Sequence, residues 1–275
     1  MMQVTRHGAQ IPALGFGTFR MSEPEVAEVL PAALAQGFRH VDTAQIYENE
    51  AAVGAAIARS GVPRDQIFLT TKVWVSNFGA DRFQASVEDS LRKLKTDHVD
   101  LLLLHWPQGS DVPRAVQMAE LNKVRSRGLT RHIGISNYTM AQMQEAVALS
   151  EAPLVSNQVE YHPYLSQAGL MAAATAAGLS LTAYFSLADG KVAHDPVLAE
   201  IGAAHGKSAA QVALRWLVQQ PGVIALTKTA KVARLAENAA LFDFALTGAE
   251  MAAIHALARP DGRIVSPEGL APQWD

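Results

Sequence analysis

Residues 67–107 read IFLTTKVWVSNFGADRFQASVEDSLRKLKTDHVDLLLLHWP. IFLTTK is a short apolar and β-branched run that ends on a lysine, Lys72. Residues 81–94 follow with Val87, Leu91 and Leu94 at helical spacing, and VDLLLLHWP is a second apolar run that closes on His105. Strand, helix and strand thus succeed one another in a single short span. The same rhythm extends in both directions. Strand ends fall near Gly17, Asp42, Val73, His105, Ser136, Glu160, Tyr184 and Leu226. Helical patterns occupy residues 24–36, 50–59, 81–94, 114–127, 141–149, 168–176, 196–219 and 232–240. Eight strand–helix pairs in about 250 residues are the size of an α/β (β/α)₈ barrel.

The segments QVTRHG and AQIPAL at the start predict a hairpin ahead of the barrel. Gly37 and Gly61 are placed to end their helices in the left-handed region, and Ser208 with Gln211 has the form of a capping box. No linker or low-complexity stretch divides the chain, so residues 1–275 are expected to form one domain. A doubly wound sheet is the structural rival. It would need G-x-G-x-x-G opening a helix after the first strand, and the nearest match, Gly15 and Gly17 followed by Arg20, lacks the third glycine. The tail RPDGRIVSPEGLAPQWD, residues 259–275, holds three prolines and two glycines. It cannot be a regular helix and is either a packed terminus or a loop folded over the barrel mouth.

Composition narrows the function. Apolar residues are 49% of the 275, and Lys+Arg 23 against Asp+Glu 26 give a formal charge of -3. With no basic run of five or more, nucleic-acid binding is disfavoured. The absence of cysteine removes disulfides, thiolate catalysis and Cys-ligated metals. The start MMQVTRHGAQ lacks an apolar signal core and no stretch reaches the length of a membrane helix. The expectation is a soluble cytoplasmic protein with no membrane partner.

Asp42, Tyr47, Lys72 and His105 each follow a strand-like segment. A strand-end aspartate often caps a helix, a lone lysine is usually solvated and a lone histidine usually structural. Their coincidence outweighs those readings, because the strand ends of a parallel barrel converge on one mouth. Together they suit carbonyl reduction, in which hydride addition builds negative charge on an oxygen that must then be protonated. A tyrosine hydroxyl is a poor acid at its ordinary pKa of about 10. An adjacent ammonium, Lys72, should stabilise the phenolate and lower that value, while Asp42 keeps the lysine charged. His105 offers a neutral N–H to orient the carbonyl oxygen. The rival is a divalent-metal hydrolase site built on Asp42 and His105. It lacks further ligands, and Lys72 would repel the ion, so no metal is expected.

Reduction needs a hydride donor, and a diffusible nicotinamide is the expectation. KTAKVARLAEN, from Lys228 to Asn238, offers Lys228, Thr229 and Arg234 at a helix entrance after the last strand, where barrels commonly bind phosphate.

DTAQIYENE, TTKVW, LLHWP, GISN, NQVEYHPY and KTAKVARLAEN, in this order and spacing over nearly the whole chain, resemble the aldo-keto reductase family. The resemblance implies an NADPH-binding barrel with Tyr47 as acid and Asp42, Lys72 and His105 completing a tetrad. It implies Ser136, Asn137 and Gln158 at the nicotinamide carboxamide, Tyr184 stacked on the ring, and Thr18 and Asp42 also at the cofactor. It places Lys228, Thr229 and Arg234 at the 2′-phosphate, Glu237, Asn238 and the Arg234 plane at the adenine, and Phe19, Trp74 and Trp106 around a small-molecule carbonyl substrate. Two departures stand out. YFSL replaces YSPL after Tyr184, which puts a pyrophosphate-side serine in doubt and leaves Lys191 as a substitute, and TKT replaces PKS. Short loops, TAQIYENEAAVG and the ending IVSPEGLAPQWD are most similar to bacterial members that reduce 2,5-diketo-D-gluconate and small dicarbonyls such as methylglyoxal, and imply a monomer. A regulatory cofactor-binding subunit on the same barrel is the non-enzyme alternative.

Overall fold

A computed structural model describes residues 2–275. The chain opens with an antiparallel hairpin, β1 (Gln3–Arg6) and β2 (Ala9–Pro12). His7 and Gly8 turn it with φ of 46° and 84°, the two positive angles that a tight hairpin turn demands. Arg6 Nε donates to the Leu179 carbonyl at 3.1 Å. The hairpin therefore lies across the N-terminal ends of the barrel strands as a floor.

Those strands are β3 (Leu14–Gly17), β4 (His40–Asp42), β5 (Phe68–Val73), β6 (Val99–Leu104), β7 (Thr130–Ser136), β8 (Leu154–Glu160), β9 (Ser180–Tyr184) and β10 (Val223–Thr227). Each pairs in parallel with the next, and β10 returns to β3, so the barrel is closed. Every residue of β5, β6 and β8 is buried, as parallel strands covered on both faces require.

Around the barrel run α1 (Glu23–Ala35), α2 (Glu50–Arg59), α3 (Phe83–Leu94), α4 (Arg114–Ser126), α5 (Met140–Leu149), α6 (Ala168–Ala176), α7 (Pro196–His205), α8 (Ala209–Gln219), α9 (Leu235–Ala239) and α10 (Gly248–His255). Gly37 and Gly61 take φ of 97° and 73°, as expected for residues that end helices. Helix starts are written in the sequence as reciprocal caps: Ser22 with Glu25, Thr139 with Gln142, Ser208 with Gln211 and Thr247 with Glu250. Each such N-cap stabilises its helix by about 1 kcal/mol.

Three expectations need correction. The helix expected over residues 196–219 is two helices, since Gly206 at φ 64° caps α7 and Ser208 starts α8. Residues 232–240 form a 3₁₀ turn, Val232–Arg234, followed by the short α9. Helix α10 was not expected at all, although Thr247 and Glu250 carry its start signal.

Candidate active site

Asp42 closes β4, Lys72 sits one residue before the end of β5, and His105 follows β6 directly. Tyr47 lies on a 3₁₀ turn, Gln45–Tyr47, beyond β4. That turn is pinned by Gln45, whose Nε2 donates to the Ser86 carbonyl and the Ser90 hydroxyl, both at 3.2 Å. Its Oε1 accepts the Trp74 N–H at 2.8 Å and the Asn77 amide at 2.9 Å. Asn49 braces the other side, donating to the carbonyls of Thr18 at 2.9 Å and Met21 at 3.1 Å. Two amide side chains thus fix the turn that carries Tyr47.

Lys72 is fully buried and commits three donors: to Asp42 Oδ1 at 2.6 Å, the Thr43 carbonyl at 2.9 Å and Tyr47 Oη at 3.3 Å. Asp42 uses its other oxygen to accept from Gln158 Nε2 at 2.8 Å. His105 packs edge-on between Tyr47, with ring centres 5.8 Å apart, and Trp74, at 5.2 Å. Its Nδ1 is sealed without a partner, so Nε2 is the nitrogen open to the cavity.

Burial pulls the Lys72 pKa below its ordinary value, and the Asp42 carboxylate opposes that pull. Burial, helped by the Lys72 charge, drives His105 well below the usual histidine range, so it is neutral. Tyr47 departs from expectation. Burial, with the negative charge of Asp42 behind it, pushes the phenol well above its ordinary pKa rather than lowering it. In the resting site the tyrosine is therefore firmly protonated, which a proton donor requires. The Lys72 ammonium, already 3.3 Å from the phenol oxygen, stabilises a phenolate as it forms.

These residues border a cavity of about 570 Å³ at the C-terminal ends of the strands, where barrel enzymes keep their chemistry. Its wall brings together Asp42, Tyr47, His105, Phe19, Trp74, Trp106, Ser136, Asn137, Gln158, Tyr184, Lys228 and Arg234, with Lys72 immediately behind. Asn137, at φ 67°, donates to the His105 carbonyl at 3.0 Å and accepts from Tyr184 Oη at 2.6 Å. Asn137 Oδ1, Gln158 Oε1 and the Ser136 hydroxyl keep acceptor capacity and share the cavity wall with Tyr184, an acceptor and stacking set that fits the amide of a nicotinamide. Lys228 and Arg234 stand exposed on the same cavity wall, and two cations there could hold an anion.

Five expected cofactor residues lie off this wall. The Thr18 hydroxyl is buried and donates to the Asp42 carbonyl at 3.1 Å. Thr229 closes a local turn with Lys231. Glu237 accepts from the Ser208 hydroxyl at 2.5 Å, and Asn238 donates to the Thr227 hydroxyl at 3.2 Å. Lys191 points to solvent.

Other residues on the wall were not anticipated, namely Arg20, Phe185, Ser186 and Asp189, and the tail, one of whose two expected placements was over the mouth, adds Val265, Pro267 and Leu270. Arg20 spans the cleft, over the rings of Phe19 at 5.1 Å and Phe185 at 5.6 Å and 3.8 Å from Asp189. Ser186, two residues after Tyr184, borders the cavity, but its hydroxyl donates to the Ala183 carbonyl at 3.1 Å. The tail both packs and covers, settling the choice left open by its composition. A group of three or more His, Cys, Asp or Glu able to hold a metal does not occur among the described residues, nor does a helix long and apolar enough to cross a membrane.

Residues 13–259 match the Aldo/keto reductase family. The chain is 45% identical to a protein named Methylglyoxal reductase DkgB from Yersinia pestis, over 96% of this chain and 99% of that protein. It is 38% identical to Glyoxal reductase of Bacillus subtilis, over 96% and 95% of the two chains. A crystal structure named "putative 2,5-diketo-D-gluconic acid reductase B" superposes with a TM-score of 0.99 at 65% identity, covering 100% of this chain and 98% of that one. The chain belongs to the aldo/keto reductase family, whose barrel is the fold described above.

Proposed function

We propose that this protein is a monomeric, single-domain, NADPH-dependent carbonyl reductase that acts on small dicarbonyls such as methylglyoxal and on the keto-sugar acid 2,5-diketo-D-gluconate. The single observation that carries the reading is the Lys72 ammonium, bonded at once to Asp42 and Tyr47 with the tyrosine bordering the cavity. The names of the relatives support the substrate class, and the apolar wall formed by Phe19, Trp74 and Trp106 suits small carbonyl compounds.

The hydride would come from a nicotinamide held against Tyr184, with its carboxamide at Ser136, Asn137 and Gln158. The chain's own residues handle the oxygen and the proton. His105 Nε2–H orients the carbonyl oxygen toward Tyr47 Oη. As negative charge builds on that oxygen, Tyr47 gives up its proton, and the phenolate left behind lies 3.3 Å from a lysine that Asp42 keeps charged. Positioned proton donation of this kind is worth about 10²–10⁴-fold. Lys228 and Arg234, the exposed cations on the cavity wall, favour the 2′-phosphate of NADPH over the bare hydroxyl of NADH.

Spectrophotometric NADPH oxidation with methylglyoxal and with 2,5-diketo-D-gluconate tests the reading. Turnover that disappears in Tyr47→Phe while NADPH still binds supports it. A wild-type protein that binds NADPH and reduces no carbonyl would point to a regulatory subunit instead.

A further inference from the structure

The tail contributes Val265, Pro267 and Leu270 to the cavity wall but forms no helix or strand of its own. A segment without an internal hydrogen-bond ladder keeps its place through packing and bonds to something else, and Ile264, Val265, Leu270 and Trp274 pack against the core. Here the Arg259 N–H donates to the Tyr164 carbonyl at 3.1 Å, and two consecutive N–H groups further on reach one side chain. Glu160, the last residue of β8, is 0% exposed. Its Oε1 accepts the Ile264 N–H at 2.6 Å and its Oε2 accepts the Val265 N–H at 2.8 Å. His162 Nε2 lies 2.9 Å from Oε1, and Arg263 Nη1 is 3.8 Å from Oε2.

A carboxylate sealed from water is costly unless its oxygens are bonded, and this one is bonded chiefly by tail backbone. The consequence runs in both directions. Glu160 needs the tail to satisfy its charge, and the tail is held at the two consecutive residues that lead onto the cavity wall. Contacts further along are of other kinds. The Arg263 guanidinium lies 3.6 Å above the Trp274 ring, and Trp274 meets Trp106 edge-on at 6.4 Å. Asp275 accepts the Met140 N–H at 2.6 Å in an exposed position.

Glu160 does not border the cavity, and the proton-donating residues make no use of it. We propose that Glu160 is a positioning residue for substrate selection: by clamping the Ile264 and Val265 amides it sets the apolar wall against which the non-reacting part of the carbonyl substrate packs. The kinetic part of this inference rests on the carbonyl-reductase reading above; the structural part does not.

The test uses the full chain with Glu160→Gln, which keeps the shape, removes the charge and turns one acceptor into a donor facing a backbone N–H. Amide exchange across residues 263–270 should quicken by about tenfold or more. The KM for phenylglyoxal, whose ring is the non-reacting part that the proposal sets against the tail wall, should rise about tenfold, while kcat for methylglyoxal and the Kd for NADPH stay within about twofold. Glu160→Asp, which retains the charge, should recover part of the loss. In a protein lacking residues 263–275 the Glu160→Gln change should have no further effect on the phenylglyoxal KM. Unchanged exchange and KM in Glu160→Gln, or a full effect persisting without the tail, would overturn the proposal. Should Glu160→Gln fail to fold, Ile264→Pro removes one N–H from the tail side and leaves the barrel intact. It should give the same split between substrates, and wild-type exchange and KM there would also overturn the proposal. A wild-type protein that reduces neither carbonyl defeats the reductase reading alone, because amide exchange still decides the clamp.

Discussion

Asp42 and Asp100 are both buried aspartates held by basic side chains, one at each end of the same barrel. Asp42 closes β4 at the mouth, bonded to the fully buried Lys72 at 2.6 Å. Asp100 stands near the start of β6, toward the floor, 2.8 Å from Arg64, 3.3 Å from Arg131 and bonded to the Leu69 N–H at 2.9 Å. The difference lies in where the remaining donors go. Arg64 spends them on the carbonyls of Ile67 and His98 and the Thr96 hydroxyl, so the floor cluster closes on itself. Lys72 spends its last on Tyr47, whose hydroxyl borders the cavity. Equivalent ion-pair chemistry is structural where every bond ends in the protein and reactive where one chain of bonds ends at a surface a substrate can reach.

The sharpest way to break this comparison is to cut each cluster and ask whether activity or stability fails. Tyr47→Phe should lower kcat for methylglyoxal reduction by about 10²–10⁴-fold, with NADPH affinity and the unfolding midpoint near wild type. Lys72→Met should lose a similar factor. The double variant should lose far less than the product of the two, since residues acting as one unit are not additive. Normal turnover in Tyr47→Phe would remove the distinction between mouth and floor.

Asp100→Asn should do the opposite. It leaves Arg64 without its counter-charge, and breaking a buried pair costs about 3–5 kcal/mol. Arg64 and Arg131 keep 25% and 50% of their side-chain surface in water, so the expected loss is nearer about 2 kcal/mol. Denaturant unfolding at pH 7 measures it, and kcat should not move. A large loss of kcat at wild-type stability would show that the floor couples to the chemistry.

How far the sequence disclosed these two ends follows from the range of the interactions involved. The strand ends and the tetrad were legible because period, burial and strand-end position are local properties of IFLTTK, VDLLLLHWP and their neighbours. The break between α7 and α8 was equally local. The Ser208–Gln211 capping box marks a helix start, so a helix drawn through it contradicted its own signal, and Thr247 with Glu250 announced α10 in the same way. The bonds from Glu160 to Ile264 and Val265 were not legible, because they join residues more than a hundred positions apart and no local pattern encodes the partner. The direction of the Tyr47 shift was missed for a related reason: the ammonium was visible in the sequence, whereas the depth of burial that outweighs it is a property of the assembled mouth.

At the mouth, a second cut separates cofactor from chemistry. Lys228→Ala should weaken NADPH binding and leave NADH nearly unchanged. A charge-assisted contact contributes about 1.5–3 kcal/mol, and because Lys228 is exposed the lower end applies, about tenfold. Fluorescence titration of both cofactors measures the ratio. Equal losses would move the 2′-phosphate away from this end of the cavity.

The smallest expected effect tests the barrel interior between the two ends. His40 lies on β4 two residues below Asp42, is 1% exposed, and has Nε2 3.1 Å from the Thr70 hydroxyl. Burial lowers its pKa to about 4, against the attraction of Asp42 and Asp100 and with some help from Lys72. Between its unfolded value near 6.5 and about 4, the unfolded chain therefore binds a proton that the native state refuses. With more protons on the unfolded side, stability rises with pH and is lost as pH falls through that window. His105, also lowered by burial, acts in the same direction, and Glu50, raised by burial, acts in the opposite one. For His40 alone the loss between pH 7 and pH 5.5 is about 1 kcal/mol. His40→Asn should flatten the fall in unfolding free energy over that interval by about this amount while leaving the mouth intact, so kcat at pH 7 should hold. If the fall is as steep in His40→Asn as in the wild type, the proton is taken up elsewhere, and His105 at the mouth is the next histidine to replace.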